Sequence, residues 1–172
     1  MKKREKSPLL FIFLATMVMI VFKLFAVDIL GVSGDSMEPA LLEGQVICVN
    51  RLEYGLQLPF VNYYLFLWKA PENGDIVVFR NPENKRIVVK RCVGTGNDRM
   101  KIIKTGVYFG TKKIELSPFQ HQNLSKIDNI PENSLFAVGD NYQRSKDSRD
   151  YGFIPFNKIF GKVLFPVHKG AR

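Results

Sequence analysis

The sequence predicts a mainly β protein: an antiparallel β-sheet domain with a small inserted lobe, preceded by one apolar N-terminal helix. Three observations lead there. Short β-branched runs alternate with turn residues from residue 45 onward, no stretch after Val27 keeps a helical period with caps, and residues 8–27 form an apolar run whose only charge is Lys23.

A helix over 8–27 would be about 30 Å long at 1.5 Å per residue, the hydrocarbon thickness of a bilayer. Lys23 lies near its far end, where a long side chain reaches the interface. Lys2, Lys3, Arg4 and Lys6 precede the run, and such a basic flank stays cytoplasmic. The expected organisation is a cytoplasmic N-terminus 1–7, a single-pass transmembrane anchor 8–27 and an extracytoplasmic domain 28–172. The competing reading is a cleaved leader; residues 25–28 lack the small-x-small pattern that cleavage needs, which favours the anchor.

Strands are expected at 45–50, 75–80, 87–94, 135–139 and 159–165, separated by Glu43-Gly44, Asn73-Gly74, Asn81-Pro82 and Thr105-Gly106. Residues 75–80 and 87–90, joined by the polar turn 81–86, read as a hairpin. Period-two geometry puts Val88, Lys90 and Cys92 on one face of it and Val89, Arg91 and Val93 on the other. Residues 95–133 turn polar and irregular and read as an insert or second lobe. The stretch 56–68 gathers Phe60, Tyr63, Tyr64, Phe66 and Trp68; it reads as a core strand, with an aromatic edge dipping into lipid headgroups as the alternative.

The 172 residues suffice for one modest domain. The net charge of +9 splits into +4 over residues 1–27 (five basic, one acidic) and +5 over the rest (twenty basic, fifteen acidic). This diffuse excess can lean on anionic lipid, but it forms no concentrated stripe on a nucleic-acid-binding module. Cys48 and Cys92 are too few for a disulfide framework and sit in apolar runs as small hydrophobes; one bridge between them stays open.

Ser36, in Gly34-Asp35-Ser36-Met37-Glu38-Pro39, is the candidate nucleophile, and a serine needs a base. His121 lies in a polar string and His168 in a basic tail, so the better base is Lys90, held in the apolar stretch 88–93 where burial favours a neutral amine. At its reference pKa near 10.4 a lysine is neutral in only about one molecule in a few thousand at pH 7, and lowering that value by two to three units costs roughly 3–4 kcal/mol. Glu38 stands where a nucleophile elbow requires its second glycine, so this is no elbow.

Four segments in order carry a resemblance: Ser33-Gly34-Asp35-Ser36-Met37-Glu38-Pro39-Ala40-Leu41; Gly74-Asp75-Ile76-Val77-Val78-Phe79; Val89-Lys90-Arg91-Cys92-Val93-Gly94; and Gly139-Asp140-Asn141 running on to Ser145-Lys146-Asp147-Ser148-Arg149-Asp150-Tyr151-Gly152. Together they resemble the type I signal peptidases, membrane-bound serine peptidases that cut leader peptides from exported proteins. The resemblance implies Ser36 as nucleophile, Lys90 as general base and Ser145 as the hydroxyl orienting the lysine. It implies Asp147 and Arg149 as a structural ion pair beneath the site, against the plain reading of a solvated pair.

Some members hold a side-chain oxyanion donor where this chain has Gly34, so the Ser36 backbone N–H is the donor that can be named. Ala40 and Gly96-Asn97-Asp98 also depart from the family pattern, away from the dyad. By the same resemblance the substrates are signal-peptide-bearing precursors with small residues at the first and third positions before the cut. No metal or cofactor is implied. Membrane lipid and the export channel are implied partners, and the inner (cytoplasmic) membrane is the implied location, with the catalytic domain outside.

Two rivals remain. One keeps the dyad in a dedicated conjugation or pilin-maturation peptidase; a self-cleaving stress regulator would need a DNA-binding module that this apolar N-terminus does not supply. The other is a non-catalytic membrane-anchored β domain that binds anionic lipid or an envelope protein, which a serine-directed acylating probe would leave unlabelled.

Overall fold

The computed structural model describes residues 8–58, 64–96, 98–125 and 127–167. Helix α1 (Pro8–Phe25) opens the chain, followed by β1 (Val27–Gly31), β2 (Val46–Asn50), β3 (Gly55–Gln57), β4 (Tyr64–Leu67), β5 (Ile76–Arg80) and β6 (Ile87–Thr95). Then come β7 (Met100–Ile103), β8 (Gly106–Phe109), β9 (Lys112–Glu115), helix α2 (Pro118–Leu124) and β10 (Ser134–Val138). Helix α3 (Ser148–Tyr151), β11 (Ile154–Pro155), a 3-10 turn (Phe156–Lys158) and β12 (Ile159–Val167) complete it. The basic segment 1–7 and His168 lie outside the described residues.

Seven strands form one antiparallel sheet in the order β1-β2-β12-β5-β6-β10-β11. Its central strands are buried on both faces, so neighbouring residues sort between two cores. Val77 and Phe79 join Tyr54, Cys92, Leu135 and Ile159, whereas Val78 joins Val32, Met37, Leu41 and Ile47. A third core belongs to the lobe expected at 95–133: the sheet β7-β8-β9 packs Val107, Phe109 and Ile114 with Leu124 of α2 against Phe136 and Val138 of β10.

The ladder fixes which ends lie together. Val27 pairs with Asn50, Asn50 with Lys162, Lys162 with Val77 and Val77 with Lys90. The end of the sheet from which α1 departs therefore also holds the ends of β2 and β5 and the starts of β6 and β12. Just before the start of β5, Tyr54 Oη donates to Asp75 Oδ2 (2.9 Å), while Lys162 Nζ lies 2.7 Å from Asp75 Oδ1.

Several expectations are corrected. The 8–27 span is shorter: β1 claims Val27 by pairing it with Asn50, and α1 stops at Phe25. Its 18 residues rise about 27 Å, and no helix among the described residues is long and apolar enough to cross a membrane. The apolar side chains of α1 are nonetheless exposed all round, with Phe11 at 75% and Val18 at 67%.

The aromatic stretch is not a core strand throughout. Tyr64 is buried, its hydroxyl donating to the Ile159 carbonyl (2.6 Å), but Leu65, Phe66, Leu67 and Trp68 are exposed, because β3 and β4 pair only with each other. Phe60 and Tyr63 lie outside the described residues.

Short helices also occur after Val27. Helix α2 is opened by a capping box between Ser117 and Gln120 with Pro118 in its first turn, too short to show a period. Cys48 and Cys92 are both free: β12 and β5 separate their strands, three strand spacings or about 14 Å, beyond disulfide reach.

Candidate active site

Ser36 lies in the loop between β1 and β2. Gly34 takes a positive φ of 83° there, a conformation that glycine adopts freely, and its N–H donates to Glu43 Oε1 (3.1 Å). On the other side Met37 and Leu41 are pinned in the core and joined by the Leu41 N–H bond to the Met37 carbonyl (2.9 Å). The seryl side chain is thus held between an anchored turn and an anchored core segment.

Lys90 occupies the alternate position between Val88 and Cys92 of β6, opposite Val77, and is 4% exposed. Its Nζ makes a 2.6 Å hydrogen bond with Ser36 Oγ. Burial pushes the amine below its ordinary 10.5; the Asp147 charge opposes this, Arg149 reinforces it and Asp140 opposes it, with burial prevailing. A hydroxyl and an amine driven toward its neutral form, in direct contact, can exchange a proton.

The turn after β10 brings the rest of the site in. Gly139 approaches so closely that a Cβ there would collide with Ser145 Oγ and the Ser36 carbonyl oxygen. Ser145 is therefore brought beside the Ser36 loop, but its buried hydroxyl has no hydrogen-bond partner among the described residues, Lys90 included. Asp147 and Arg149 are buried at 0% and 4%, not solvated: Nε meets Oδ1 and Nη2 meets Oδ2, each at 2.9 Å. Arg149 Nη2 also donates to the Tyr142 carbonyl (2.8 Å) and Asp147 Oδ2 accepts from Gly139 N–H (3.0 Å), so the pair shapes the loop that reaches Ser36.

Three contacts went unassigned in the sequence. Arg91, next to Lys90, forks onto Asp140 at 2.8 and 2.7 Å. Asn141 N–H donates to the Ser36 carbonyl (3.1 Å) and its Nδ2 to the Asp35 carbonyl (3.2 Å). Arg144 pairs with Asp35. Gly139-Asp140-Asn141 stood out as a motif, but which loop it would grip had no local signal.

The Ser36 N–H makes no hydrogen bond among the described residues, whereas that of Gly34 is taken by Glu43. Beside Ser36 a groove of about 180 Å³ runs between the loop and β6, lined by Leu30, Gly31, Val32, Met37, Val88 and Val89. It is small, with apolar walls on one part and Ser33, Ser36 and Lys90 on the other. Among the described residues no cluster of His, Cys, Asp and Glu side chains is arranged to hold a metal ion.

The family described as "Signal peptidase, peptidase S26" matches residues 6–168. The chain is similar to a signal peptidase I of Bacillus caldolyticus, 30% identical over 169 residues that cover 89% of this chain and 86% of that one. It is also similar to a signal peptidase IB of Staphylococcus aureus, 28% identical over 189 residues that cover 96% and 90%. A signal peptidase I of Rickettsia typhi is 26% identical over 194 residues, covering 85% and 74%.

Proposed function

The chain belongs to the bacterial type I signal peptidases, peptidase family S26, and we propose that it removes N-terminal signal peptides from exported precursors with Ser36 as nucleophile and Lys90 as base. The observation that carries the assignment of roles is the 2.6 Å contact between Ser36 Oγ and a lysine that is 4% exposed.

In this reading neutral Lys90 takes the Ser36 proton as Oγ attacks the scissile carbonyl, then gives it to the leaving amine, which yields an acyl-enzyme and a free mature N-terminus. The same amine next deprotonates a water that hydrolyses the ester. The unoccupied Ser36 N–H is the oxyanion donor, and the shallow groove beside it accepts the small side chains before the cut. Ser145, with a free hydroxyl beside the loop, orients the amine during turnover.

The protein acts at a membrane. From Leu9 to Phe22 helix α1 exposes apolar side chains on every side, which a helix in water does not sustain. Its length falls about 3 Å short of a typical hydrocarbon core, a mismatch that local thinning of the bilayer and the reach of Lys23 accommodate. Exposed Phe66 on β4 and Trp68 just after it suit the headgroup layer.

The test is incubation of a signal-peptide-bearing precursor with detergent-solubilised protein, wild type beside Ser36→Ala, with mass spectrometry of the products. Cleavage after a small residue by the wild type alone supports the reading, and equal cleavage by the variant contradicts it.

A further inference from the structure

A second cavity, of about 350 Å³ and without Ser36 in its lining, lies beside the end of β5 and the approach to β12, which share the sheet end from which α1 departs. Arg80, at the end of β5, Lys85, in the hairpin loop, and Lys158, just before β12, surround it, over a floor of Pro82, Ile154 and Pro155. None of these cations has a carboxylate partner among the described residues. Glu83, the one acid in the loop 81–86, is drawn off to Lys146 (2.6 Å).

Arg80 and Lys85 are set in place by neutral groups. Arg80 Nη1 donates to the Lys85 carbonyl (3.3 Å) with its guanidinium 5.1 Å from the Phe160 ring centroid, and Lys85 Nζ donates to the Pro82 carbonyl (2.9 Å). Asn81 Oδ1 accepts from Glu83 N–H (2.8 Å), which stiffens the loop. Three uncompensated positive charges over an apolar floor suit an amphiphilic anion. The surroundings say which: Ile159, adjacent to Lys158, accepts the Tyr64 hydroxyl that ties down the exposed apolar strand β4, on the same sheet end as α1.

The geometry points to this cleft as a seat for an anionic phospholipid headgroup, with the phosphate among Arg80, Lys85 and Lys158 and the glycerol carbons against Pro82, Ile154 and Pro155. The inference rests on the reading that α1 enters the bilayer. Seating a lipid there holds the hairpin that carries Lys90, and so the active site, at a set depth relative to the membrane surface.

Full-length protein in neutral detergent is titrated with short-chain phosphatidylglycerol, and separately floated on phosphatidylcholine vesicles. Arg80→Gln/Lys85→Gln/Lys158→Gln is expected to weaken phosphatidylglycerol binding by roughly tenfold or more, each basic group near a lipid surface being worth several-fold. Lys101→Gln/Lys104→Gln/Lys113→Gln removes the same charge from exposed positions of the lobe and is expected to leave binding unchanged. Equal weakening by both triple variants, or none by the first, overturns the site. Displacement of the lipid by inorganic phosphate at matched concentration overturns the lipid assignment in favour of a free anion. Loss of flotation with the cleft dependence intact contradicts the membrane reading of α1 alone.

Discussion

Lys90 Nζ and Ser36 Oγ lie 2.6 Å apart although 54 residues separate them along the chain. The meeting is arranged from both sides: the β5–β6 hairpin buries the lysine, and the turn after β10 grips the serine loop through Asn141. Arg91, adjacent to the lysine, forks onto Asp140, adjacent to Asn141, so base and nucleophile are tied through a second, parallel link.

Lys90→Arg is expected to abolish precursor cleavage, because a guanidinium stays protonated and cannot act as base. Lys90→Met should be equally inactive yet at least as stable. The sign follows from the lowered folded-state pKa: between that value and 10.5 the unfolded chain binds more protons, so stability rises with pH by about 1.4 kcal/mol per unit and the lysine is a cost at neutral pH. Urea unfolding of wild type and Lys90→Met across pH 6–10 checks this; the wild-type rise should exceed that of the variant.

Gly139→Ala places a methyl group against Ser145 Oγ and the Ser36 carbonyl. Overpacking of this kind costs about 1–3 kcal/mol, which the fold can survive. Displacement of the serine loop should cost more in activity than in stability. Comparing kcat/KM with the urea midpoint separates the two effects.

Asp147→Ala or Arg149→Ala leaves a buried charge uncompensated and is expected to destabilise by about 3–5 kcal/mol. Arg149→Lys should restore little of it, since an ammonium cannot reproduce the fork that also holds the Tyr142 carbonyl. The check is chemical denaturation of each variant.

Acid stability should depend on Asp75. Burial alone would raise its carboxyl, but Lys162, the Glu72 N–H and Tyr54 outweigh burial and hold it below its ordinary 3.8. A depressed carboxyl stabilises fully above its unfolded value and loses that contribution as pH falls through the folded one. Asp75→Asn is expected to flatten the stability curve below pH 4 and to lower stability at pH 7, as thermal melts across pH 2–7 will register.

Strand positions were legible because β-branched runs bounded by turn residues declare themselves: the run expected at 87–94 is β6, Ile87–Thr95. Val27 falls within the apolar run because apolarity alone cannot tell the last helical turn from the first residue of a paired strand. Leu65 to Trp68 look like core in sequence for the same reason, since composition does not say whether a sheet has a neighbour. At the site, Ser36 and Lys90 announced themselves by chemistry and by motif. The Arg144–Asp35 and Arg91–Asp140 pairs did not, because they join loops with no periodic pattern and form only when the β10 turn docks.

The most direct measurement is an NMR titration of the Lys90 ε-amine in folded protein, assigned by its loss in Lys90→Met. Loss of the proton well below 10.5 is expected, with kcat/KM rising along the same curve. Titration at or above 10.5 in active protein would contradict it.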